Sequence, residues 1–126
     1  MPGLRGHATH TITDADTAIA MRSGEVPTLA TPRLVALMEE ATVAALADKL
    51  GEGETSVGMR IHIDHLSPSG TGAEIMAEAL LEAVEGRRLT FGATATEGGT
   101  VVATASIVRV VVATDRFVGR VGVETD

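Results

Sequence analysis

Residues 31–50 read TPRLVALMEEATVAALADKL and predict the helix around which the rest of the chain is arranged. Thr31 stands before a proline, which is a typical helix start because an N–H at that position would have no helical partner. Gly51 follows the stretch and is typical of a helix end. We therefore predict a helix from Pro32 to Leu50 with Thr31 as its N-cap. Its apolar residues extend almost all the way round, which predicts burial on most sides.

Segments on both sides of this helix have the patterns of β-strands. Residues 7–14 (HATHTITD) are rich in threonine and isoleucine and predict a short edge strand, followed by a loop over residues 22–31. Residues 57–63 alternate between apolar side chains and Gly, Arg or His, which is the period of a half-buried strand. Two further strands are expected at residues 88–95 and 100–113, where a Glu-Gly-Gly turn predicts a hairpin.

Residues 73–85 fit two kinds of structure. Glu74, Glu78 and Glu82 are spaced at i, i+4 among alanines and leucines, which favours a helix. The same stretch alternates in the manner of a strand and is bounded by Gly72 and Gly86. Propensity alone favours the helix, although tertiary context overrides such preferences.

A strand, a long buried helix and then four strands in a meander describe an α+β domain. In this arrangement a curved antiparallel sheet of about five to six strands wraps around the helix. This is the hotdog arrangement. The length of 126 residues corresponds to one ordinary domain covering residues 1–126, with a tail that we expect to fray from about residue 118.

Composition excludes several classes of protein. Lys and Arg number 10 against 17 Asp and Glu, a net charge of −7, so neither nucleic acid nor an anionic membrane is an expected partner. The first twenty residues lack the apolar run of a signal peptide, and we expect a cytoplasmic protein. Without cysteine, any chemistry must use hydroxyl, carboxylate or imidazole groups. The small core side chains favour an oligomer.

Glu39 is unusual because the helical projection places it in the centre of an apolar stripe with Val35, Val43 and Leu46. A carboxylate at such a position is costly unless it is paired or functional. The alternative is that this part of the helix is partly exposed and the side chain reaches water. Spacing alone leaves both interpretations open.

His65 continues the inward parity of Ile61 and Ile63, whereas His62 and Asp64 face the other way. A buried imidazole needs a hydrogen-bond partner, and a core histidine bonded to a backbone carbonyl would satisfy that need without any function. Because parity separates His65 from the other two side chains, we do not expect the three to share a metal ion.

Several arginines are candidate anion contacts. Arg109 has inward parity between Ile107 and Val111, which indicates either a buried ion pair or a contact with an anion. Arg87 and Arg88 lie at a turn, where a solvated surface pair is the simpler interpretation.

Five stretches match one known pattern: Ala30-Thr31, Leu37-Met38-Glu39, residues 51–58 (GEGETSVG), His65, and residues 84–89 (VEGRRL). Together they resemble the fluoroacetyl-CoA thioesterase family of hotdog proteins, without gaps from about Val26 to Val112. The resemblance implies that residues 73–85 form a strand.

The resemblance also implies roles for individual residues. Thr31, Glu39 and His65 match the family's catalytic set, while Gly58 and Arg109 match its strand glycine and its late-strand arginine. The fluoroacetyl-specific member has two lid phenylalanines where this chain has Arg22 and Glu25. We therefore expect no strong selectivity for the fluoroacetyl group.

These observations predict a homodimeric acyl-CoA thioesterase that uses no metal or redox cofactor. Glu39 would attack the thioester or deprotonate a water molecule, with His65 and Thr31 assisting. Positive charge for the phosphates of coenzyme A would come from Arg60, Arg87, Arg88 and Arg109. Two alternatives remain open, namely a hydratase or dehydratase built on His62-x-Asp64, and a non-catalytic acyl-CoA binding module.

Overall fold

The computed structural model describes residues 1–122 as a five-stranded antiparallel sheet curled around one long helix. The strands are β1 (Arg5–Thr11), β2 (Glu54–His65), β3 (Glu74–Glu85), β4 (Arg88–Glu97) and β5 (Thr100–Ala113). The helices are α1 (Ala18–Met21), α2 (Thr31–Ala45) and α3 (Thr114–Gly119), and a short 3₁₀ helix spans Asp14–Asp16. This architecture confirms the α+β hotdog prediction.

The strand order is β1-β3-β4-β5-β2, so the predicted meander of four strands is wrong. Only β3, β4 and β5 form a meander, joined by tight turns at residues 86–87 and 98–99. Such turns hold successive strands together as hairpins, whereas the longer connection over residues 66–73 lets β3 pair with β1 instead of β2. Strand β2 consequently pairs with β5 at one end of the sheet.

Strand β3 confirms what the family resemblance implied for residues 73–85. Its buried side chains alternate along the strand, at Ile75, Ala77, Ala79 and Leu81. Their burial between neighbouring strands and α2 outweighs the helix propensity of the glutamates, which project from the other face. The hairpin between β4 and β5 is also confirmed, because Gly98 and Gly99 both have the positive φ that the tightest hairpin turns require.

Helix α2 is shorter and less buried than the sequence predicts. It ends at Ala45, and Asp48 follows in the left-handed region at φ 60°, so the predicted extension to Leu50 is wrong. The sheet covers one face only, formed by Leu34, Leu37, Met38, Ala41, Thr42 and Ala45. On the other side Val43 is 53% exposed, and Glu39 lies at the border between the two faces rather than at the centre of a buried stripe.

Gly6 of β1 packs directly against the backbone of α2. A Cβ atom there would overlap the carbonyl oxygen of Ala41 and the amide nitrogen of Ala45. We expect Gly6→Ala to lower the free energy of unfolding by about 3 kcal/mol, since the overlap is with backbone and not with a side chain that could turn away. Urea unfolding measures this, with Gly70→Ala as the control because a Cβ on Gly70 meets open space. Equal midpoints for the two variants would contradict the packing.

Helix α3 is the last element of the described residues. Val118 and Gly119, the first residues of the tail predicted to fray, belong to α3. The last four residues of the predicted tail, 123–126, lie outside the described residues. No helix within residues 1–122 is both long and apolar enough to cross a membrane.

Candidate active site

Thr31 and His65 form the first part of the site. The N-cap position of α2 is Ala30, Thr31 is the first helical residue, and no side chain caps the helix. The Thr31 hydroxyl instead lies 2.8 Å from Nδ1 of His65. The N-cap interpretation of Thr31 is therefore wrong, and its hydroxyl is directed at an imidazole.

His65 is the last residue of β2 and is half-buried, while His62 and Asp64 are exposed, as their parity predicts. Its Nε2 atom is buried without a hydrogen-bond partner among the described residues, so no backbone carbonyl satisfies it. When Nδ1 accepts the hydroxyl proton of Thr31, the neutral ring carries its own hydrogen on Nε2. Within residues 1–122, no three His, Asp or Glu side chains are grouped to hold a metal ion.

Further back along β2, a bulge changes which side chains face inward. Gly58 pairs with Arg109 and Arg60 pairs with Val108, so Met59 is an extra residue. Met59 is 41% exposed, and the alternation predicted across residues 57–63 is wrong on the N-terminal side of this bulge. As a result Gly58, rather than its neighbours, faces α2.

Glu39 forms the second part of the site together with Arg109. The buried Arg109 donates from Nη1 to Oε2 of Glu39 at 3.1 Å. It also donates from Nε to Oγ of Ser56 at 2.8 Å and from Nη2 to the Ser56 carbonyl at 2.9 Å. Burial lowers the pKa of Arg109, while the Glu39 carboxylate acts against that shift. Of the two interpretations of Arg109, the contacts favour the buried ion pair.

The strand passes very close to the Glu39 carboxylate. A Cβ on Gly58 would lie 2.5 Å from Oε2 of Glu39, so glycine leaves the space that the carboxylate occupies. The Glu39 side chain remains 32% exposed, which keeps one side of it accessible. Sequence reasoning missed Ser56, although it lies within the matched stretch 51–58, because nothing in the pattern distinguishes a serine that anchors a distant arginine.

The two parts of the site open into different cavities. Thr31 and His65 line a cavity of about 360 Å³ together with residues of the 18–29 segment and of the 66–68 loop. Glu39 and Arg109 line another of about 620 Å³ with His7, Ala8, Ala36, Glu40, Val43 and Ala44. Gly58 and His65 are seven positions apart on β2, a separation of roughly 20 Å. Within one chain, the predicted set is therefore divided into two half-sites.

The other predicted site residues lie outside these cavities. Arg87 contacts Oε2 of Glu54 at 3.4 Å and the Val111 carbonyl at 3.3 Å, and its side chain is 65% exposed. Arg60 and Arg88 are exposed on strands β2 and β4. Arg22 and Glu25 are exposed in the segment whose residues Ser23, Gly24 and Val26 line the Thr31 cavity, and Arg22 has a left-handed backbone.

A curled antiparallel sheet wrapped around one long helix defines a hotdog-fold protein. Residues 12–115 match the family described as fluoroacetyl-CoA-specific thioesterase. The chain belongs to this family and is a thioester hydrolase.

Individual relatives agree with the family assignment. A fluoroacetyl-CoA thioesterase from Streptantibioticus cattleyicolor is 34% identical over 96 residues, which cover 76% of this chain and 69% of that protein. A structure of the fluoroacetyl-CoA thioesterase FlK has a TM-score of 0.90 at 27% identity, covering 100% of this chain and 98% of the other. A FlK mutant in complex with fluoroacetate and CoA has a TM-score of 0.86 at 28% identity, covering 93% and 98%.

Proposed function

We propose that this protein hydrolyses acyl-CoA thioesters to a carboxylate and free coenzyme A in the cytoplasm, without a metal or redox cofactor. The observation that carries the proposal is the Thr31 hydroxyl bonded to Nδ1 of His65 instead of capping its helix. A hydroxyl–imidazole pair at a cavity, together with a carboxylate fixed by a buried arginine, has the groups that acyl transfer requires.

In the proposed mechanism Glu39 supplies the carboxylate chemistry by one of two routes. It either attacks the thioester carbonyl, or it takes a proton from the water molecule that attacks. On the first route the C–S bond breaks to leave a mixed anhydride on Glu39, and a water molecule then hydrolyses this anhydride to the acyl carboxylate and the free Glu39 carboxylate. On the second route the hydroxide formed from water adds to the carbonyl carbon, and the C–S bond breaks. On either route one proton from the water ends on the thiolate of coenzyme A with the assistance of His65, and the other is released to solvent. Thr31 orients the reacting groups, and Arg109 directs the Glu39 carboxylate through the hydrogen bond from Nη1 to Oε2. Backbone N–H groups near Gly58 or at the start of α2 would stabilise the oxyanion.

The division into half-sites supports a homodimer. Among the described residues, β2 pairs only with β5, so its other edge is open to a second copy. Antiparallel pairing of two β2 strands centred on His62, with the bulge residue Met59 skipped, would place Gly58 of each chain opposite His65 of the other. Glu39 of one chain, which contacts Gly58, would then lie near the Thr31–His65 pair of its partner. The exposed apolar side of α2 gives the second copy further surface to cover.

Binding of coenzyme A needs local positive charge, because the net charge of −7 repels phosphates. Arg60, Arg87 and Arg88 remain the candidates for direct phosphate contacts, since they are exposed. Arg109 is buried and already bonded to Ser56 and Glu39, and we assign its effect on the substrate to the positioning of Glu39.

We expect the enzyme to discriminate little between fluorinated and unfluorinated acyl groups. Arg22 and Glu25 are exposed polar residues in the segment next to the Thr31 cavity. Such an entrance is poorly suited to excluding water around a two-carbon fluorinated acyl group. Fluoroacetyl-CoA should therefore not be strongly preferred over acetyl-CoA.

A panel of acyl-CoAs assayed with a thiol reagent tests the proposal. Released thiol supports hydrolysis, and comparing acetyl, fluoroacetyl and longer acyl groups measures selectivity. Binding without release would instead indicate a non-catalytic module, and loss of enoyl absorbance without thiol release would indicate a hydratase. The exposure of both His62 and Asp64, the pair available to a hydratase, favours hydrolysis.

Two histidines on one strand provide a matched comparison. We expect His65→Ala to lower kcat by at least about 100-fold, because it removes the group that assists proton transfer. His62→Ala should leave kcat nearly unchanged, since that ring is exposed on the opposite face of β2. Steady-state kinetics of the two variants decides the matter. Equal losses would contradict the assignment of His65.

A further inference from the structure

A buried carboxylate lies near the start of α2, at a position that the sequence did not single out. The Asp16 side chain is only 9% exposed. Its Oδ2 accepts hydrogen bonds from the Thr13 backbone N–H at 2.7 Å and from the Thr13 hydroxyl at 2.9 Å. The same oxygen lies 2.7 Å from Nε2 of His10, and Oδ1 accepts from Nε of Arg33 at 3.2 Å.

These contacts determine the charge of Asp16. Burial raises the pKa of its carboxyl group, but the hydrogen bonds from Thr13 and His10 and the charge of the His10 ring outweigh burial. They hold the pKa of Asp16 well below its usual range, so the group is ionised at neutral pH. A buried charge with this many partners keeps its neighbours in one arrangement, because losing a partner leaves it uncompensated.

The neighbours that Asp16 holds lie on both sides of Thr31. Its backbone carbonyl accepts from Ala30 N–H at 2.9 Å, and its carboxylate binds Arg33. Ala30 and Arg33 belong to the first turn of α2, where no side chain provides a cap. Asp16 therefore gives this turn the fixed attachment that an N-cap side chain would otherwise give.

Hydrogen bonds also connect the segment that follows Asp16 to the loop next to His65, the partner of the Thr31 hydroxyl. Thr17 forms a β-bridge with Leu29, and the Leu29 N–H donates to the Ser69 carbonyl at 2.8 Å. Ser69 belongs to the loop that follows His65. Backbone contacts thus connect Asp16 both to the helix start that carries the Thr31 hydroxyl and to the loop that follows the His65 imidazole.

We propose that Asp16 is a positioning residue of the thioesterase site, fixing the first turn of α2 so that the Thr31 hydroxyl meets Nδ1 of His65. Its effect on turnover rests on the proposed function, whereas its effect on the His65 ring does not. The side-chain partners of Asp16 are Thr13, His10 and Arg33, so its proposed action on the site is indirect.

Asp16→Asn keeps the size of the side chain and removes its charge. We expect kcat to fall about 10-fold with KM nearly unchanged, because a small displacement of a reacting group lowers turnover more than binding. Asp14→Asn is the matched control, since Asp14 is exposed two residues away on the same 3₁₀ helix. A double-mutant cycle with Thr31→Ala adds a stricter test. In the Thr31→Ala background, Asp16→Asn should not lower kcat any further. If the two changes lower kcat by independent factors that multiply, the proposal is overturned.

The ring nitrogens of His65, followed by NMR, provide a readout that does not depend on catalysis. Asp16→Asn should shift the Nδ1 signal in the same direction as Thr31→Ala does, and an unchanged signal would overturn the proposal. If Thr31→Ala hydrolyses at full rate, the proposed role of Thr31 fails while the NMR comparison still decides the role of Asp16. Should Asp16→Asn fail to fold, Arg33→Met removes only the contact to α2 and is subject to the same comparison.

Discussion

Glu39→Gln should lower kcat for acyl-CoA hydrolysis by at least about 100-fold, the largest effect that we expect from a single conservative change. Both routes of the proposed mechanism need an ionised carboxylate at this position, and an amide neither attacks a thioester nor accepts a proton from water. The amide keeps an oxygen that Nη1 of Arg109 can still donate to, and the side chain is 32% exposed. The variant should therefore remain folded at the assay temperature.

Glu40→Gln is the control for this experiment, because Glu40 is the next residue and is exposed. Its kcat should be close to that of the unchanged protein. Urea unfolding of both variants separates a catalytic loss from a loss of folded protein. A Glu39→Gln variant that hydrolyses at nearly full rate would show that Glu39 is only a partly exposed partner of Arg109, which is the simpler interpretation of its place on the helix.

The sequence predicts those parts of the fold whose signals are local. The start of α2 and the hairpin between β4 and β5 depend on neighbouring residues, such as Pro32 and the Gly98-Gly99 pair. The hairpin lies where predicted, and α2 begins at Thr31, one residue before the predicted Pro32. For β3, local propensity favoured a helix, because the spacing of its glutamates says nothing about the strands on either side. Family resemblance supplied that tertiary information.

Several of the errors share one physical cause, which is contact between residues far apart in sequence. Thr31 looks like an N-cap until His65, 34 positions away, is placed beside its hydroxyl. The bulge at Met59 depends on the pairing of β2 with β5, and the alternation of apolar and polar residues over 57–63 does not reveal it. Asp16 and Ser56 were missed for the same reason, since each acts by anchoring a distant arginine.

Two inactive variants should restore activity when their subunits mix. In the proposed dimer each active site takes Glu39 from one chain and the Thr31–His65 pair from the other. A subunit carrying Glu39→Gln and one carrying His65→Ala would therefore form one intact site and one site with both defects. Random pairing gives half mixed dimers, so the mixture should recover about a quarter of the activity of the unchanged protein.

To test this expectation, the two variants are unfolded and refolded together. The kcat per subunit is then measured, and light scattering verifies that dimers have formed. Thr31→Ala mixed with His65→Ala is the matched control, because both changes affect the same half-site and no mixed dimer contains an intact one. Recovery in the first mixture and not in the second would follow only if the two cavities are completed across the subunit boundary. Absence of recovery in verified mixed dimers, or a monomer with full activity, would instead require Glu39 to reach His65 within one chain, across the roughly 20 Å of β2 that separates Gly58 from that ring.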